Sequence, residues 1–462
     1  MPDNTPPKVL IAGAGIAGLI MAILLDKAGI EYDIFERYET VRPLGSATGL
    51  GFNVMPLMDQ LGLLEDLKSI CKIIEGTTIF KEDMEVIREI RLKENRVLTG
   101  YDSMITSRPQ FHALLMSRVP KEKIHMSKKI IALTQDTESV TITCADGSTY
   151  TGDILIGADG AYSGVRQALY DEMKKEGILP KSDEEELVSH YMSILGTTDS
   201  LNPRNYEGLD DKESHCDTVI GDERGLTWRY FTIPDNRVCW RIDLQSKDMD
   251  PKLYENWLNA DYNMFDINQL PEAWKHHKLA IMGELGDLFD NTPKEAISKV
   301  VLEEKVFETW KHGRTVLIGD AAHKMLPNFG ALNAILDAVI LANAIYEMPT
   351  ANQKNITKAF DDFYEERFPT MKKELSASQQ MSTVMAGKTW LDSAARWVLL
   401  KLVPKYFKEK SLEYTLQYRP QALFLPRIES TGTVPITPQR PSKKYAAYVK
   451  AQAAAAPAPS AV

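Results

Sequence analysis

Short apolar runs that end in glycine-containing turns are the most regular feature of the hydrophobic pattern. They occupy residues 9–11, 154–156 and 316–318, and a glycine turn follows each of them at once. Short continuous apolar runs bounded by turn residues are typical of strands that are buried on both faces of a parallel sheet. We therefore predict a parallel sheet to which the chain returns at widely separated points in the sequence.

A different pattern occupies much of the chain between these runs. Residues 77–98 alternate between apolar and polar positions, and β signals dominate residues 189–242. We predict a second, mostly antiparallel sheet there, which would cover a substrate pocket. Residues 331–348 and 360–410 are predicted to be helical. From residue 431 onward the chain is rich in proline and alanine without periodicity, which predicts disorder.

The first apolar run begins a β-α-β unit in residues 8–37. Gly13, Gly15 and Gly18 follow the strand, and a predicted helix and second strand lead to Glu36. In such a unit the first glycine permits a tight turn, the second lets the backbone approach a pyrophosphate, and the third lets the helix pack on the strand. The helix N-terminus attracts the pyrophosphate, and the acid accepts hydrogen bonds from the ribose. The spacing predicts dinucleotide binding; the alternative is an ordinary glycine turn.

Composition narrows the class of protein. The net charge of −10 argues against nonspecific nucleic-acid binding, which requires a basic face. The four cysteines are scattered and the histidines form no ligand cluster, which favours a reducing, cytoplasmic environment and no metal site. No apolar run reaches the roughly 18 residues of a membrane-spanning helix. Residues 397–408 combine apolar and basic positions, and they fit either peripheral membrane contact or, more commonly, packing on the rest of the chain.

Taken in order, the three turns resemble the motifs of one family. GAGIAG at residues 13–18, GADGAYSGVR at 157–166 and GRTVLIGDAAHKMLP at 313–327 are similar to those of the class A flavoprotein monooxygenases, the para-hydroxybenzoate hydroxylase-like group. Over about residues 8–435 the chain most resembles the epoxidases and hydroxylases of fungal secondary metabolism. The resemblance implies FAD as cofactor and NAD(P)H as co-substrate. It also implies O2-dependent epoxidation or hydroxylation of a hydrophobic prenylated, terpenoid or aromatic small molecule.

The resemblance also implies an α/β fold. A Rossmann-like FAD-binding domain of the GR2 type would carry an inserted, mostly antiparallel substrate sheet, with helices at the C-terminal end. In the corresponding division, the FAD-binding domain comprises residues 1–75, 106–185 and 301–350. The substrate sheet comprises residues 76–105 and 186–300. A helical region at 351–430 and a disordered tail at 431–462 complete the chain.

The cofactor-binding positions of the family carry over residue by residue. The resemblance implies that Gly13, Gly15 and Gly18 bind the FAD pyrophosphate, that Glu36 binds the adenosine ribose and that Gly49 approaches the flavin side. It implies that Arg108 binds phosphate or ribityl oxygens and that Asp320 binds the ribityl chain. Asp159 would act where FAD and NADPH meet, and Gly330 and Ala331 would lie at the flavin edge. The sequence identifies no catalytic acid or base. Tyr191, Tyr230 and Arg241 lie in the predicted substrate sheet, where such residues are more often structural, and His323 is interpreted as a packing or supporting residue.

The segment after Pro327 departs from the family pattern. The family usually carries P-x-x-G-Q-G-x-N, whereas here Gly330 is followed by Ala331, and the segment from Pro327 to Asp337 is two residues shorter. In the family this loop leads a helix N-terminus to the flavin edge, where it stabilises negative charge. The alternative function is therefore a flavin-binding homologue with impaired or lost oxygenase activity.

A second similarity is weaker. Residues 228–234, WRYFTIP, partly match the WxWxIP signature of flavin halogenases, but the second tryptophan is absent and the spacing is one residue longer. We therefore interpret Trp228 as a packing residue or a pocket wall.

Overall fold

The computed structural model describes residues 6–40, 45–185, 188–221, 226–245, 267–325, 330–385 and 415–455. The strands are β1 (Val9–Ala12), β2 (Tyr32–Phe35), β3 (Ala47–Leu50), β4 (Lys72–Ile74), β5 (Gly76–Lys81), β6 (Val86–Arg91), β7 (Ser103–Ser107), β8 (Ile124–His125), β9 (Ile130–Gln135), β10 (Val140–Cys144), β11 (Thr149–Gly152), β12 (Ile154–Gly157), β13 (Val188–Thr197), β14 (Cys216–Ile220), β15 (Leu226–Ile233), β16 (Arg237–Gln245), β17 (Ser298–Val306), β18 (Lys311–His312), β19 (Thr315–Leu317) and β20 (His323–Lys324). The helices are α1 (Ile16–Ala28), α2 (Met55–Gln60), α3 (Leu64–Ile70), α4 (Glu94–Thr99), α5 (Arg108–Met116), α6 (Gly164–Glu176), α7 (Lys181–Glu184), α8 (Leu285–Asp290), α9 (Gly330–Glu347), α10 (Gln353–Met385) and α11 (Lys443–Ala455).

The predicted parallel sheet is present. It has six strands in the order β18-β19-β12-β1-β2-β8, and all neighbours are parallel except the short edge pair β18 and β19. The three apolar runs are its strands β1, β12 and β19, and every residue in them is buried. Helix α1 and the small sheet β11-β10-β9 both contact this sheet. The turns that follow the three runs therefore meet at one edge, because the carboxyl ends of parallel strands point the same way.

The second sheet has eight strands in the order β20-β17-β13-β16-β15-β14-β5-β6. Its neighbours are antiparallel except β14 and β5. Trp228, Trp240 and Ile242 on one face form a separate hydrophobic core with residues of the 267–289 segment. The mostly antiparallel second sheet is confirmed, and its opposite face carries both polar and apolar side chains.

This sheet extends beyond the predicted boundary at residue 300. Strand β17 runs to Val306, and β20 forms the sheet edge directly after the third glycine turn. The predicted strand region at residues 77–98 is also shorter, since α4 occupies its end. Gly100, at φ +84°, caps that helix in the left-handed conformation.

The predicted disorder from residue 431 is corrected for the described part of the tail. The backbone N–H groups of Thr433 and Val434 donate to the carbonyl oxygens of Val97 and Leu98 at 3.1 and 2.8 Å. Helix α11 follows, and its N-terminal N–H at Tyr445 donates to the Ser442 hydroxyl. Long-range hydrogen bonds to α4 order this segment, and a local composition pattern cannot reveal them.

Helix α9 is the one described helix that is long and apolar enough to cross a membrane, and 67% of it is buried inside the chain. That degree of burial is typical of the core helix of a globular domain. Helix α10 confirms the first part of the predicted helical region. Two further predictions, the amphipathic segment 397–408 and the short loop at 326–329, lie outside the described residues.

Gly18 offers a test of the packing between α1 and the first turn. A Cβ at Gly18 would lie 2.0 Å from the Gly13 carbonyl oxygen, whereas a Cβ at Gly15 would meet nothing within 4 Å. We expect Gly18→Ala to lower the free energy of unfolding by about 1–3 kcal/mol or more. Gly15→Ala is the matched control and should change it little. Denaturant unfolding of both cofactor-free proteins measures the difference, and equal stabilities would contradict this packing.

Candidate active site

The glycine turn after β1 has the geometry that its sequence predicts. Gly13 has φ +97°, and a Cβ there would lie 2.6 Å from the Ala158 carbonyl oxygen, so the turn after β12 packs directly on it. Gly15 is the N-cap of α1, so no side chain caps the start of this helix, and the space beside Gly15 is open. The free N–H groups at the start of α1 therefore adjoin a backbone that a ligand can approach closely.

Two side chains hold the Ala14 backbone within this turn. Glu36 Oε2 accepts a hydrogen bond from the Ala14 N–H at 2.9 Å, and the buried His112 Nε2 donates to the Ala14 carbonyl oxygen at 2.7 Å. The carbonyl and N–H of a trans peptide point in opposite directions. The His112 bond therefore aims the next N–H, that of Gly15, away from the histidine. Burial lowers the pKa of His112 and the nearby Arg108 lowers it further, which favours the neutral ring.

Arg108 begins α5 and lies against a second glycine-rich segment. Its backbone N–H donates to the Ser46 carbonyl oxygen at 2.8 Å, and its side chain crosses Gly45, where a Cβ would lie 2.8 Å from Cδ. Gly45 has φ +115°, a conformation that favours glycine. Gly49 follows in β3, opposite Ile105 of β7, with open space at its Cβ position. The segment thus presents bare backbone beside a guanidinium group.

Asp320 lies on the turn after β19. The residue is exposed to solvent, but protein surrounds it on most sides. This desolvation raises the pKa of Asp320, while the nearby His323, Lys324 and Arg108 lower it. Arg108 is also exposed, and burial lowers its pKa while Asp320 raises it. Side chains that are accessible to solvent but surrounded by protein lie in a cleft. Because Arg108 and Asp320 each shift the pKa of the other, both side chains lie in the same cleft. Helix α9 begins there, since a Cβ at Gly330 would lie 3.5 Å from Asp320 Oδ1.

A buried carboxylate fixes the turn that carries Asp320. Asp337 of α9 accepts hydrogen bonds from the Gly319 N–H at 2.9 Å, from His323 Nε2 at 2.5 Å and from Arg367 Nε at 2.7 Å. The three side chains are inaccessible to solvent. Burial alone would raise the pKa of Asp337, but His323 and Arg367 outweigh it and hold the pKa well below its usual range. His323 therefore acts as a supporting residue.

Asp159 lies in the turn after β12, next to the first glycine turn. Its carboxylate accepts hydrogen bonds from the Ser163 hydroxyl and from the Val165 N–H, which caps helix α6. Burial raises the pKa of Asp159. The backbone of this residue touches Gly13, so the second turn adjoins the first while its acid is engaged in the helix cap.

The eight-stranded sheet forms the opposite wall of the cleft. The Ser46 hydroxyl lies 3.5 Å from the Trp240 carbonyl oxygen of β16, and β15 contacts β7. The three glycine turns, Arg108 and Asp320 therefore lie together, and the segment beside Arg108 adjoins the predicted substrate sheet. No local sequence pattern singles out His112 or Arg367, since each acts on residues distant in the chain. A histidine four residues after Arg108 on one helix face was the available signal for His112.

The residues noted earlier within the sheet divide between its two faces. Trp228 is fully buried, stacks on His277 with ring centroids 4.4 Å apart and donates to the Lys278 carbonyl oxygen, so it is a packing residue. The Tyr230 hydroxyl accepts from the Ala280 N–H at 2.8 Å on the same face. Arg241 points to the other face. In the described part of the chain, no group of three or more His, Cys, Asp or Glu side chains is arranged to hold a metal ion.

The residues present fit a flavin dinucleotide. The open start of α1 beside Gly15 suits a pyrophosphate, Glu36 lies just after β2, and Arg108 and Asp320 share the adjoining cleft. The fold and this site define a flavoprotein of the class A monooxygenase type. More specifically, the chain belongs to the FAD binding domain family, whose profile matches residues 7–190 and 268–375.

Similar curated proteins are fungal FAD-dependent monooxygenases. They include terM of Tolypocladium album, 27% identical over 85% of this chain and 81% of that protein, and ausM of Emericella nidulans, 27% identical over 93% and 89%. A third is ptmM of Penicillium ochrochloron, 28% identical over 78% of this chain and 85% of that protein. FAD is thus the cofactor, and the chain is an FAD-dependent monooxygenase.

Solved structures show the same fold at lower identity. HpxO of Klebsiella pneumoniae, solved with FAD and uric acid, has a TM-score of 0.70 at 18% identity and covers 89% of this chain and 97% of its own. CtdE, solved with FAD and a substrate, has a TM-score of 0.66 at 17% identity and covers 83% and 90%. The pairing of a parallel sheet with a large substrate sheet is therefore shared across distant relatives.

The Asp337 network is tested at Arg367. Arg367→Leu removes the guanidinium that pairs with a buried carboxylate, which typically costs about 3–5 kcal/mol of unfolding free energy. Lys358→Ala on the same helix breaks an exposed pair with Asp362 and should change stability little. Urea unfolding with FAD bound and removed measures both variants. If Arg367→Leu were as stable as Lys358→Ala, the network would not hold the turn.

His112 is tested by a pair of substitutions. His112→Phe keeps an aromatic ring but removes the donor to the Ala14 carbonyl oxygen, whereas His112→Gln can restore an N–H near the Nε2 position. We expect the phenylalanine variant to bind FAD about tenfold more weakly, as for the loss of one hydrogen bond of roughly 1 kcal/mol or more. The glutamine variant should recover most of the affinity. Quenching of FAD fluorescence gives both constants, and equal affinities would argue against orientation by His112.

Proposed function

We propose that this protein uses NAD(P)H and O2 to epoxidise or hydroxylate a hydrophobic prenylated, terpenoid or aromatic small molecule. The observation that carries the proposal is the convergence of three glycine turns, Arg108 and Asp320 on one wall of a cleft whose other wall is the large sheet. The curated fungal monooxygenases that the chain resembles along most of its length support the same reaction class.

The chain's own residues would bind and orient the cofactor. Gly15 and the start of α1 would hold the pyrophosphate through backbone N–H groups, with Gly13 and Gly18 shaping that turn. Glu36 would accept hydrogen bonds from the adenosine ribose while it holds the Ala14 N–H. When bound, FAD supplies the electron transfer and oxygen activation that no amino-acid side chain can supply.

The flavin side of the site would be formed by the second and third turns. We assign Gly49 to close backbone approach, Arg108 to phosphate or ribityl oxygens and Asp320 to the ribityl chain. Gly330 and Ala331, at the N-terminus of α9, would direct helix N–H groups toward developing negative charge. Asp159 would contribute where FAD and NADPH meet, through the position of its turn beside Gly13. The large sheet would exclude water from the reacting groups.

The alternative of an impaired flavin-binding homologue is not favoured. Its only basis is the short segment after Pro327, which lies outside the described residues. The described start of α9 still reaches Asp320, since Gly330 adjoins that carboxylate. The N-terminus of α9 therefore lies beside the third turn, as the working site requires.

A cytoplasmic location and a hydrophobic small-molecule partner accompany this proposal. The four cysteines are free thiols, and burial raises the pKa of Cys71 and of Cys216 to about 12. Such thiols stay protonated and unreactive, as suits a reducing compartment. The net charge of −10 gives no support to a nucleic-acid partner. Peripheral membrane contact through residues 397–408 stays a prediction.

The reaction class is tested by anaerobic titration of the FAD-loaded protein with NADPH and, separately, NADH. We expect the flavin absorbance to bleach, and aeration with prenylated phenol or indole candidates to give a product that carries one labelled atom from isotopic O2. Gly15→Ala is the matched variant, because its backbone has room for the methyl group in the free protein but not beside a pyrophosphate. It should fold normally and lose most FAD. Wild-type protein that binds no FAD, or whose flavin resists both nucleotides, would refute the proposal.

A further inference from the structure

The face of the large sheet opposite its hydrophobic core carries a compact group of polar side chains. Ser193 of β13 lies across from Asp243 of β16, and Arg241 of β16 lies across from Arg229 of β15. Directly opposed residues of antiparallel strands put their side chains on the same face. These four side chains therefore form one patch, the Arg229 patch, spread over three adjacent strands.

The Arg229 patch faces the cofactor wall of the cleft. Cys239 precedes Arg241 by two residues and so shares its face, and the Ser46 hydroxyl is near enough to its thiol to lower the pKa slightly, against the larger effect of burial. Ser46 in turn accepts the Arg108 backbone N–H. Phe231 lies opposite Cys239, one row closer than Arg229 to this contact. A ligand held at Arg229 would thus extend past an apolar ring toward the wall with the glycine turns.

The patch has more positive than negative charge. Asp243 Oδ2 accepts hydrogen bonds from Arg241 Nε at 3.0 Å and Nη2 at 2.6 Å, and its Oδ1 accepts one from the Ser193 hydroxyl. Arg229 Nε lies 3.9 Å from the same Oδ2. The guanidinium groups of Arg229 and Arg241 thus share the Asp243 carboxylate, and Arg241 lies closer to it than Arg229 does. Arg229 has the weaker share.

Arg229 is held in place but incompletely satisfied. Its Nε atom is inaccessible to solvent and has no hydrogen-bond partner among the described residues. Even so, 31% of its side chain is accessible to solvent, so a ligand can reach this residue from the cleft face of the sheet. Burial lowers the pKa of Arg229 and the neighbouring Arg241 lowers it further, while Asp243 and Tyr191 raise it. A guanidinium in this setting is a strong receptor for an anionic oxygen.

We propose that Arg229, positioned by Asp243 and Arg241, binds an anionic oxygen of the substrate, whether carboxylate, phenolate or enolate. The substrate is thus an acidic, otherwise hydrophobic small molecule, whose charged end lies on the Arg229 patch and whose apolar part passes Phe231 toward the flavin. This inference rests on the proposed function and narrows its substrate class.

The test compares an acid with its neutral ester. Binding of 3-geranyl-4-hydroxybenzoate and of its methyl ester to the FAD-loaded protein is measured by calorimetry at neutral pH. The wild-type protein should prefer the acid by roughly 10–100-fold, the range of one charged hydrogen bond. Arg229→Met should abolish that preference while it retains ester binding, and Arg229→Lys should keep part of it.

Arg91→Met is the matched control, because Arg91 lies on the edge strand of the same sheet with 78% of its side chain exposed. It should keep the full preference for the acid. FAD content and thermal unfolding of each variant show whether it is folded. The proposal would be overturned if the wild-type protein preferred neither the acid over its ester nor, at raised pH, 4-geranylphenol over its methyl ether, failure to bind any of the four included. A preference that survives in Arg229→Met would also overturn it.

The same preparations separate this inference from the proposed function. Wild-type flavin that NADPH and NADH fail to reduce would refute the monooxygenase proposal, and the acid preference would still be measured. Normal flavin reduction with no preference for either anion, carboxylate or phenolate, would refute only the assignment of Arg229. A separate phenol and its methyl ether, 4-geranylphenol and 4-geranylanisole at raised pH, distinguish a phenolate from a carboxylate as the bound anion.

Discussion

One buried carboxylate sets the relative position of the parts that form the cleft. Asp337 of α9 holds the Gly319 N–H, the His323 ring and the Arg367 guanidinium at once. Gly319 carries the third glycine turn, His323 belongs to edge strand β20 of the large sheet, and Arg367 belongs to α10. A buried charge without these partners would be very costly. The carboxylate therefore ties the cofactor turn to the substrate sheet and to a helix.

The two walls of the cleft use charge in different ways. On the cofactor wall, Arg108 and Asp320 are opposite charges that influence each other while both stay accessible. On the substrate wall, Asp243 binds Arg241 and Ser193 closely and Arg229 at a longer distance, so two arginines share a single carboxylate and the patch has a net positive charge. Electrostatic interactions are stronger in a cleft than in water. A dinucleotide and an acidic substrate would thus meet complementary surfaces from opposite sides.

Much of the fold and of the cofactor wall could be predicted from the sequence, because local patterns encode it. The strand, glycine and helix spacing of residues 8–37 specifies its own backbone, and the structure gives Gly13 a positive φ and Gly18 a close contact. His112 was missed because its partner, Ala14, is 98 positions away. The tail was misjudged for a similar reason, since its hydrogen-bond partners lie in α4. Neither contact leaves a periodic signal.

The substrate wall is the part that local patterns specify least. Arg241 was visible as a charged residue in a strand, but its pairing with Asp243 and its juxtaposition with Arg229 depend on the register of β15 against β16. A shift of one residue would move every one of these side chains to the other face. The cofactor wall consists of short motifs that each fold locally, so it can persist among distant relatives. The substrate wall depends on long-range register and on single side chains at its surface, so exchanging one charged residue can change the ligand without disturbing the fold.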